Sequence, residues 1–252
     1  MKKLTIGIVG FLVLDLYFNL VPRQLHNFYL QIICALLFFP LAHVVAKATG
    51  LNGLRGIGAH IHKGWSKHLG IGFGIGFLSW LVLYGCYIWA GLLEIHSVKS
   101  PADMVMPLLQ VLVGFFIGSL MNDLIVRGYV MNNLRGRLPV PWVFVISILI
   151  YCLDDYWYAP FTLYNFIFSA CIGFSLTYAF YKTGSIWANT GLHFGNNVSY
   201  GLFYGLVQKN DGGIFLVTDT GTDSLLGQSV EIAFTALLFL TVLFFFRKTS
   251  DT

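Results

Sequence analysis

Charge is what this sequence has least of. Only 10% of its 252 residues are Asp, Glu, Lys or Arg, against 57% hydrophobic residues. An ordinary soluble domain is about a quarter charged, so a water-soluble fold of this length would lack the charge to cover its surface. The same composition excludes disorder. No basic run is dense enough for nucleic acid, and the formal net charge is a modest +4, so no nucleic-acid partner is expected. Cysteine is scarce as well. Cys34, Cys86, Cys152 and Cys171 lie within or beside apolar stretches, and none forms a CxxC pair. That argues against a disulfide framework and a thiolate metal site. There is no internal repeat, and no alternation of polar and apolar positions such as a membrane barrel needs.

What remains is long apolar runs rich in aromatics: 23 Phe, 13 Tyr and 6 Trp, with a mean hydropathy of +0.74. Aromatic side chains anchor spans at bilayer interfaces. The composition predicts an all-α polytopic membrane protein, residues 1–252 forming one integral membrane domain with the lipid bilayer as its first partner. A helix needs about 20 apolar residues to cross the hydrocarbon core. Eight stretches qualify: 4–22, 27–48, 71–93, 104–131, 142–159, 161–181, 184–208 and 229–246. The first follows Lys2 and Lys3 as a signal peptide would, but it runs on through Val21 without a small-residue cleavage site, so a retained helix is expected. With eight spans, Arg23, Lys99 and Lys209 fall on one side of the membrane, and every other Lys and Arg outside a span falls on the side of the N-terminus. Basic residues favour the cytoplasmic side, so both termini are expected in the cytoplasm of a cell-membrane protein.

Residues 51–68 are too polar to span and are expected at the interface, and residues 208–228 form the largest loop on the other side. His60, His62 and His68 lack an accompanying carboxylate and are read as loop histidines. The glycines at 70, 72, 74 and 76 do not complete a nucleotide-binding fingerprint. They read instead as close helix contacts.

Ionisable groups inside spans are costly and mark function by default. The candidates are Asp15, Asn122, Asp123, Arg127, Asp154, Asp155, His193, Asn196 and Asn197. Asn122 and Asp155 lie nearly equal distances from the turn at Pro139, so in an antiparallel hairpin both sit about 20 Å along their helices, and Asn197 reaches a similar depth. His193 and Asn197, four residues apart, share a helix face. Asp123 and Arg127 have the same spacing, which suits a structural ion pair. Asp154 and Asp155 read equally well as end caps of a short helix, and Asn196 as a helix–helix hydrogen bond.

Three segments resemble the motifs of the CPBP family of intramembrane proteases, which includes the type II CAAX prenyl endopeptidases and relatives in bacteriocin processing and self-immunity. NDLIVRG (Asn122–Gly128) stands where the family has Glu-Glu-x-x-x-Arg-Gly. YCLDD (Tyr151–Asp155) stands where it has Phe-x-x-x-His. HFGNN (His193–Asn197) matches His-x-x-x-Asn and follows the family-like GSIWANTGL. The resemblance spans about 105–208. It implies an eight-helix bundle with an intramembrane polar cavity in which a Glu, two His and an Asn activate water for peptide hydrolysis. Carried onto this chain, the catalytic positions are Asn122, Asp123, Asp155, His193 and Asn197. Two have changed type. An amide such as Asn122 cannot accept a proton at neutral pH, whereas Asp155 keeps a group that could bind a metal or orient His193. The cofactor is unknown; Asp155 and His193 are the residues available to a divalent metal such as zinc, which the sequence does not require.

Two functional readings follow. In one, the chain is a non-catalytic or weakly active relative that binds a hydrophobic peptide, a lipid or a partner helix, in bacteriocin immunity or in regulating a membrane enzyme. In the other, it is a divergent intramembrane endopeptidase that works through Asp155, His193 and Asn197. A proton-coupled transporter is a distant third, since no repeated halves are evident.

Overall fold

The computed structural model describes residues 2–158, 160–206 and 212–247. Part of the expected 208–228 loop, with Lys209, and the C-terminal Lys248 lie outside them. Ten helices and two strands follow in the order α1 (Lys2–Leu20), α2 (Phe28–Ala48), α3 (Gly53–Gly56), α4 (Trp65–Trp89), β1 (Leu93–Val98), α5 (Pro101–Asp123), α6 (Asn132–Leu134), α7 (Val140–Asp154), α8 (Leu163–Thr183), α9 (Ile186–Tyr204), β2 (Phe215–Asp219) and α10 (Leu225–Phe246). A π-helix, Leu124–Met131, joins α5 to α6.

The eight long helices coincide with the eight expected spans. Six of them are long and apolar enough to cross a membrane on those grounds alone, with α5 running on through Leu134 and α7 through Trp157. The apolar part of α1 is shorter, Leu4–Leu20, and α9 is interrupted by polar residues. Outward-facing side chains are apolar: Val44 is 64% exposed and Phe244 79%. Such a surface calls for hydrocarbon rather than water. Local signals set the helix ends. Asn27, Ser100, Thr162 and Ser224 accept backbone N–H groups at the starts of α2, α5, α8 and α10, satisfying donors the helix leaves orphaned. Gly184, with φ +61°, ends α8, a left-handed position that favours glycine.

The all-α expectation stands, with one small sheet added to it. The third span stops at Trp89, and the residues after it form β1, which pairs antiparallel with β2 from Leu93↔Asp219 to Val98↔Phe215. LEIHSV is too short and too alternating to continue a helix. This two-stranded sheet covers one end of the bundle, here called the sheet end.

Two glycine pairs bring α4 and α9 together. A Cβ on Gly72 would lie 2.2 Å from the Ala188 carbonyl, and on Gly76 2.1 Å from that of Leu192. From the other side, a Cβ on Gly191 would lie 2.2 Å from the Leu69 carbonyl, and on Gly195 2.3 Å from that of Phe73. Backbone contact this close requires glycine on both helices. Gly70 and Gly74 have nothing within 4 Å, so only the alternate members of the glycine run make the contact. At the end away from the sheet, residues 57–62 fold over the start of α9. Ile57 is fully buried, Ile186 N donates to Gly58 O at 3.2 Å, and Trp187 Nε1 to His60 O at 2.9 Å.

Candidate functional site

The buried polar residues of α1, α5, α7 and α9 form a continuous network. At its centre are Asp123 and Arg127, both fully buried, with Arg127 Nη1 3.2 Å from Asp123 Oδ1. The same nitrogen donates to Asn122 Oδ1 at 3.2 Å. Arg127 lies on the π-helix: its contact with Asp123 is an i,i+4 pair, and its contact with Asn122 is the i,i+5 pair that π-helical geometry brings together. The guanidinium lies over the Tyr151 ring, 4.2 Å from its centroid, a geometry that stabilises a desolvated cation. Gly128, next in the chain, is needed because a Cβ there would meet the Ile57 carbonyl at 2.4 Å. The Arg-Gly pair therefore combines a charge at the centre with room for the covering segment.

Asn122 gives its amide to Asp154 Oδ2 in a short hydrogen bond. Asp154 Oδ1 in turn accepts from Asn19 Nδ2 at 2.7 Å, and Asn19 also reaches Asp15 Oδ1 at 3.3 Å. The network thus runs from α1 through α7 to α5. On the α9 side, Thr190 donates to Asp123 Oδ2 at 3.1 Å, and His193 Nδ1 lies 3.5 Å from the same oxygen. The His193 and Tyr151 rings meet edge to face, 6.1 Å apart. Asn197 donates to Ser119 Oγ of α5 at 3.1 Å. Asn196 faces the other way: with its amide in the orientation that satisfies both atoms, it donates to Gly76 O of α4 at 3.0 Å.

Of the expected site residues, the structure joins Asn122, Asp123, Arg127 and His193 directly. Asn197 shares the His193 face but bonds to Ser119. The Asp155 carboxylate takes a hydrogen bond from Ser169 of α8 and lines a small cleft with Cys152, Phe161 and Asn165, while lying within electrostatic reach of His193. No hydrogen bond or ion pair joins it to His193. Counting inward from the turn at 1.5 Å per residue pairs Asn122 with Asp155. The neighbour in space is Asp154 because the π-helix advances less per residue, and because one step around α7 turns Asp155 toward α8. Asn19 and Thr190 escaped the sequence reading altogether. An isolated Asn or Thr in an apolar helix carries no spacing signal of its own.

A divalent metal such as zinc takes His, Cys or carboxylate donors at about 2.0–2.3 Å, at least three of them from protein. Among the described residues no three His, Cys, Asp or Glu side chains are placed to hold one. The carboxylate in contact with His193, that of Asp123, is already held by Arg127 and Thr190. Among the described residues, those present do not fit a metal.

Fold and site together define a helical membrane protein with a polar centre buried among its spans. Residues 104–199 match the family model described as type II CAAX prenyl endopeptidase Rce1-like, and this match places the segment in the CPBP family. The match takes in most of α5, the π-helix, α7, α8 and most of α9, which carry Asn122, Asp123, Arg127, Asp154 and His193 of the network. No curated protein and no solved structure matches the chain.

Proposed function

We propose that the chain works as one integral membrane domain of the CPBP family in which the catalytic motifs have become a structural network, and that it binds a hydrophobic peptide, a lipid or a partner helix without cutting it, or cuts it only weakly. The observation that carries this reading is the state of Asn122. The residue at the position of the family's base is an amide, its N–H₂ donated to Asp154 and its oxygen occupied by Arg127. It can neither take a proton from water nor point a free acceptor at one. Losing a general base typically costs about 10²–10⁴ in rate. A cleft at the end away from the sheet, lined by Arg135, Leu138, Phe144, Phe180 and Tyr181 among others, offers a mostly apolar surface to a hydrophobic segment or acyl chain. A role in immunity to a bacteriocin or in regulating another membrane enzyme suits such a protein. The charge asymmetry between loops supports residence in the cell membrane with both termini in the cytoplasm.

One observation favours a second reading. Asp123 Oδ2 faces His193 Nδ1 at 3.5 Å, as a carboxylate that orients a histidine for acid–base work would. In that case Asp123 and His193 serve a divergent endopeptidase, with Asn197 polarising the scissile carbonyl. Peptide hydrolysis by the purified protein in lipid nanodiscs separates the two. The first reading expects no turnover of a hydrophobic peptide by wild type, with any gain confined to Asn122→Glu. Wild-type turnover that His193→Ala abolishes would establish the second.

A further inference from the structure

One further acid inside a span lies outside the motif network. Glu231, in the second turn of α10, is half-buried at the sheet end of the bundle. Its Oε2 takes a short hydrogen bond from Tyr164 Oη of α8. Neither ion pair found among the described residues involves it; both belong to Asp123. Tyrosines from three helices surround it. Tyr84 and Tyr87 of α4, Tyr164 of α8 and Tyr200 of α9 all lie within electrostatic reach of the carboxylate. Tyr204 completes the wall, its ring centroid 5.0 Å from that of Tyr200 and 6.2 Å from that of Tyr84. Tyr84 and Tyr87 are buried, while Tyr164, Tyr200 and Tyr204 are half-buried. Hydrogen bonds set the rings: Tyr87 Oη donates to Gly227 O at 3.1 Å and Tyr204 Oη to Asp219 Oδ2 at 3.4 Å.

A carboxylate in a span with no basic partner is costly and calls for a cation from outside. The surroundings say which kind. Calcium and magnesium want six or more oxygens, carboxylates among them, and among the described residues no three His, Cys, Asp or Glu side chains are placed to hold a metal ion. Aromatic faces beside a carboxylate suit a cation that carries its own apolar surface. We propose that Glu231 and the tyrosines around it recognise an organic ammonium group, supplied by a lipid headgroup or by a free amine. Asp219 and Asp223 at the same end add negative charge that draws such a cation in.

Calorimetric titration of the full-length protein with choline, in nanodiscs of phosphatidylglycerol, tests this. Saturable binding is expected, with the neutral isostere 3,3-dimethylbutanol weaker by roughly tenfold or more, as removal of the charge from a cation–π and ion-pair site requires. Glu231→Gln keeps an acceptor for Tyr164 and should retain the wild-type melting temperature while weakening choline by a similar factor. Tyr200→Leu should weaken it independently. Repeating the titration in phosphatidylcholine discs identifies the source: choline binding lost there means a lipid headgroup occupies the site, and choline binding unchanged means a soluble amine does. Absence of saturable choline binding in phosphatidylglycerol discs, or equal binding by folded Glu231→Gln and wild type, would overturn the proposal.

Discussion

Substituting Gly76 with alanine should damage the polar centre from a distance. The added Cβ would sit 2.1 Å from the Leu192 carbonyl and 3.0 Å from Asn196 N. Ordinary carbon–oxygen contact begins near 3.4 Å, so α4 and α9 must part by about 1 Å, because packed backbone cannot absorb the clash by rotating a side chain. Forcing a methyl into a packed contact costs roughly 1–3 kcal/mol. The same displacement moves α9, which carries Thr190 and His193, away from Asp123. His193 is already at 3.5 Å, so a shift of that size would end its contact. Gly74→Ala is the control: nothing lies within 4 Å of its Cβ, and replacing an open helical glycine gains about 0.5–1 kcal/mol. Thermal unfolding in nanodiscs should show Gly76→Ala several degrees below wild type and Gly74→Ala at or above it. Equal melting temperatures for the two variants would refute the packing argument.

Arg127→Met strands the buried Asp123 carboxylate and should cost about 3–5 kcal/mol, whereas Arg127→Met with Asp123→Leu removes both charges and should recover most of that loss; denaturation of the single and double variants checks it. Asn19→Leu removes the link from α1 to Asp154 and should cost about 1–3 kcal/mol, the price of an unmet buried acceptor, with faster proteolysis of α1 as the readout. Burial, with His62 and then Arg55 adding positive charge, holds His60 below its ordinary value of 6.5. A histidine with a depressed folded-state value contributes stability that is full above 6.5 and is lost as pH falls through the folded value. The covering segment should therefore loosen in mild acid, and His60→Gln should flatten that dependence in hydrogen exchange at residues 57–62.

The long helices were legible in the sequence because apolar length is a strong signal, and the glycine contact was legible as a class though not residue by residue. The sheet was not, since β1 and β2 are six and five residues long and pair across a long separation in sequence. Within the site, the i,i+4 spacing of Asp123 and Arg127 and of His193 and Asn197 was visible. What the sequence could not show was the π-helix, which has no composition signature. It shortens the path from the turn and so exchanges Asp154 for Asp155 as the partner of Asn122. Asn19, Thr190 and Glu231 were hidden for another reason: their partners lie on helices distant in sequence.

The account turns on the motif residues being spent on one another, and the Asn122–Asp154 hydrogen bond is its most direct test. A double-mutant cycle of Asn122→Leu and Asp154→Leu, read by unfolding in nanodiscs, should give a coupling of about 1.5–3 kcal/mol, as expected for a buried hydrogen bond to a charged group. Effects that add to within about 0.5 kcal/mol would mean the two side chains do not meet, and the network would not exist as described.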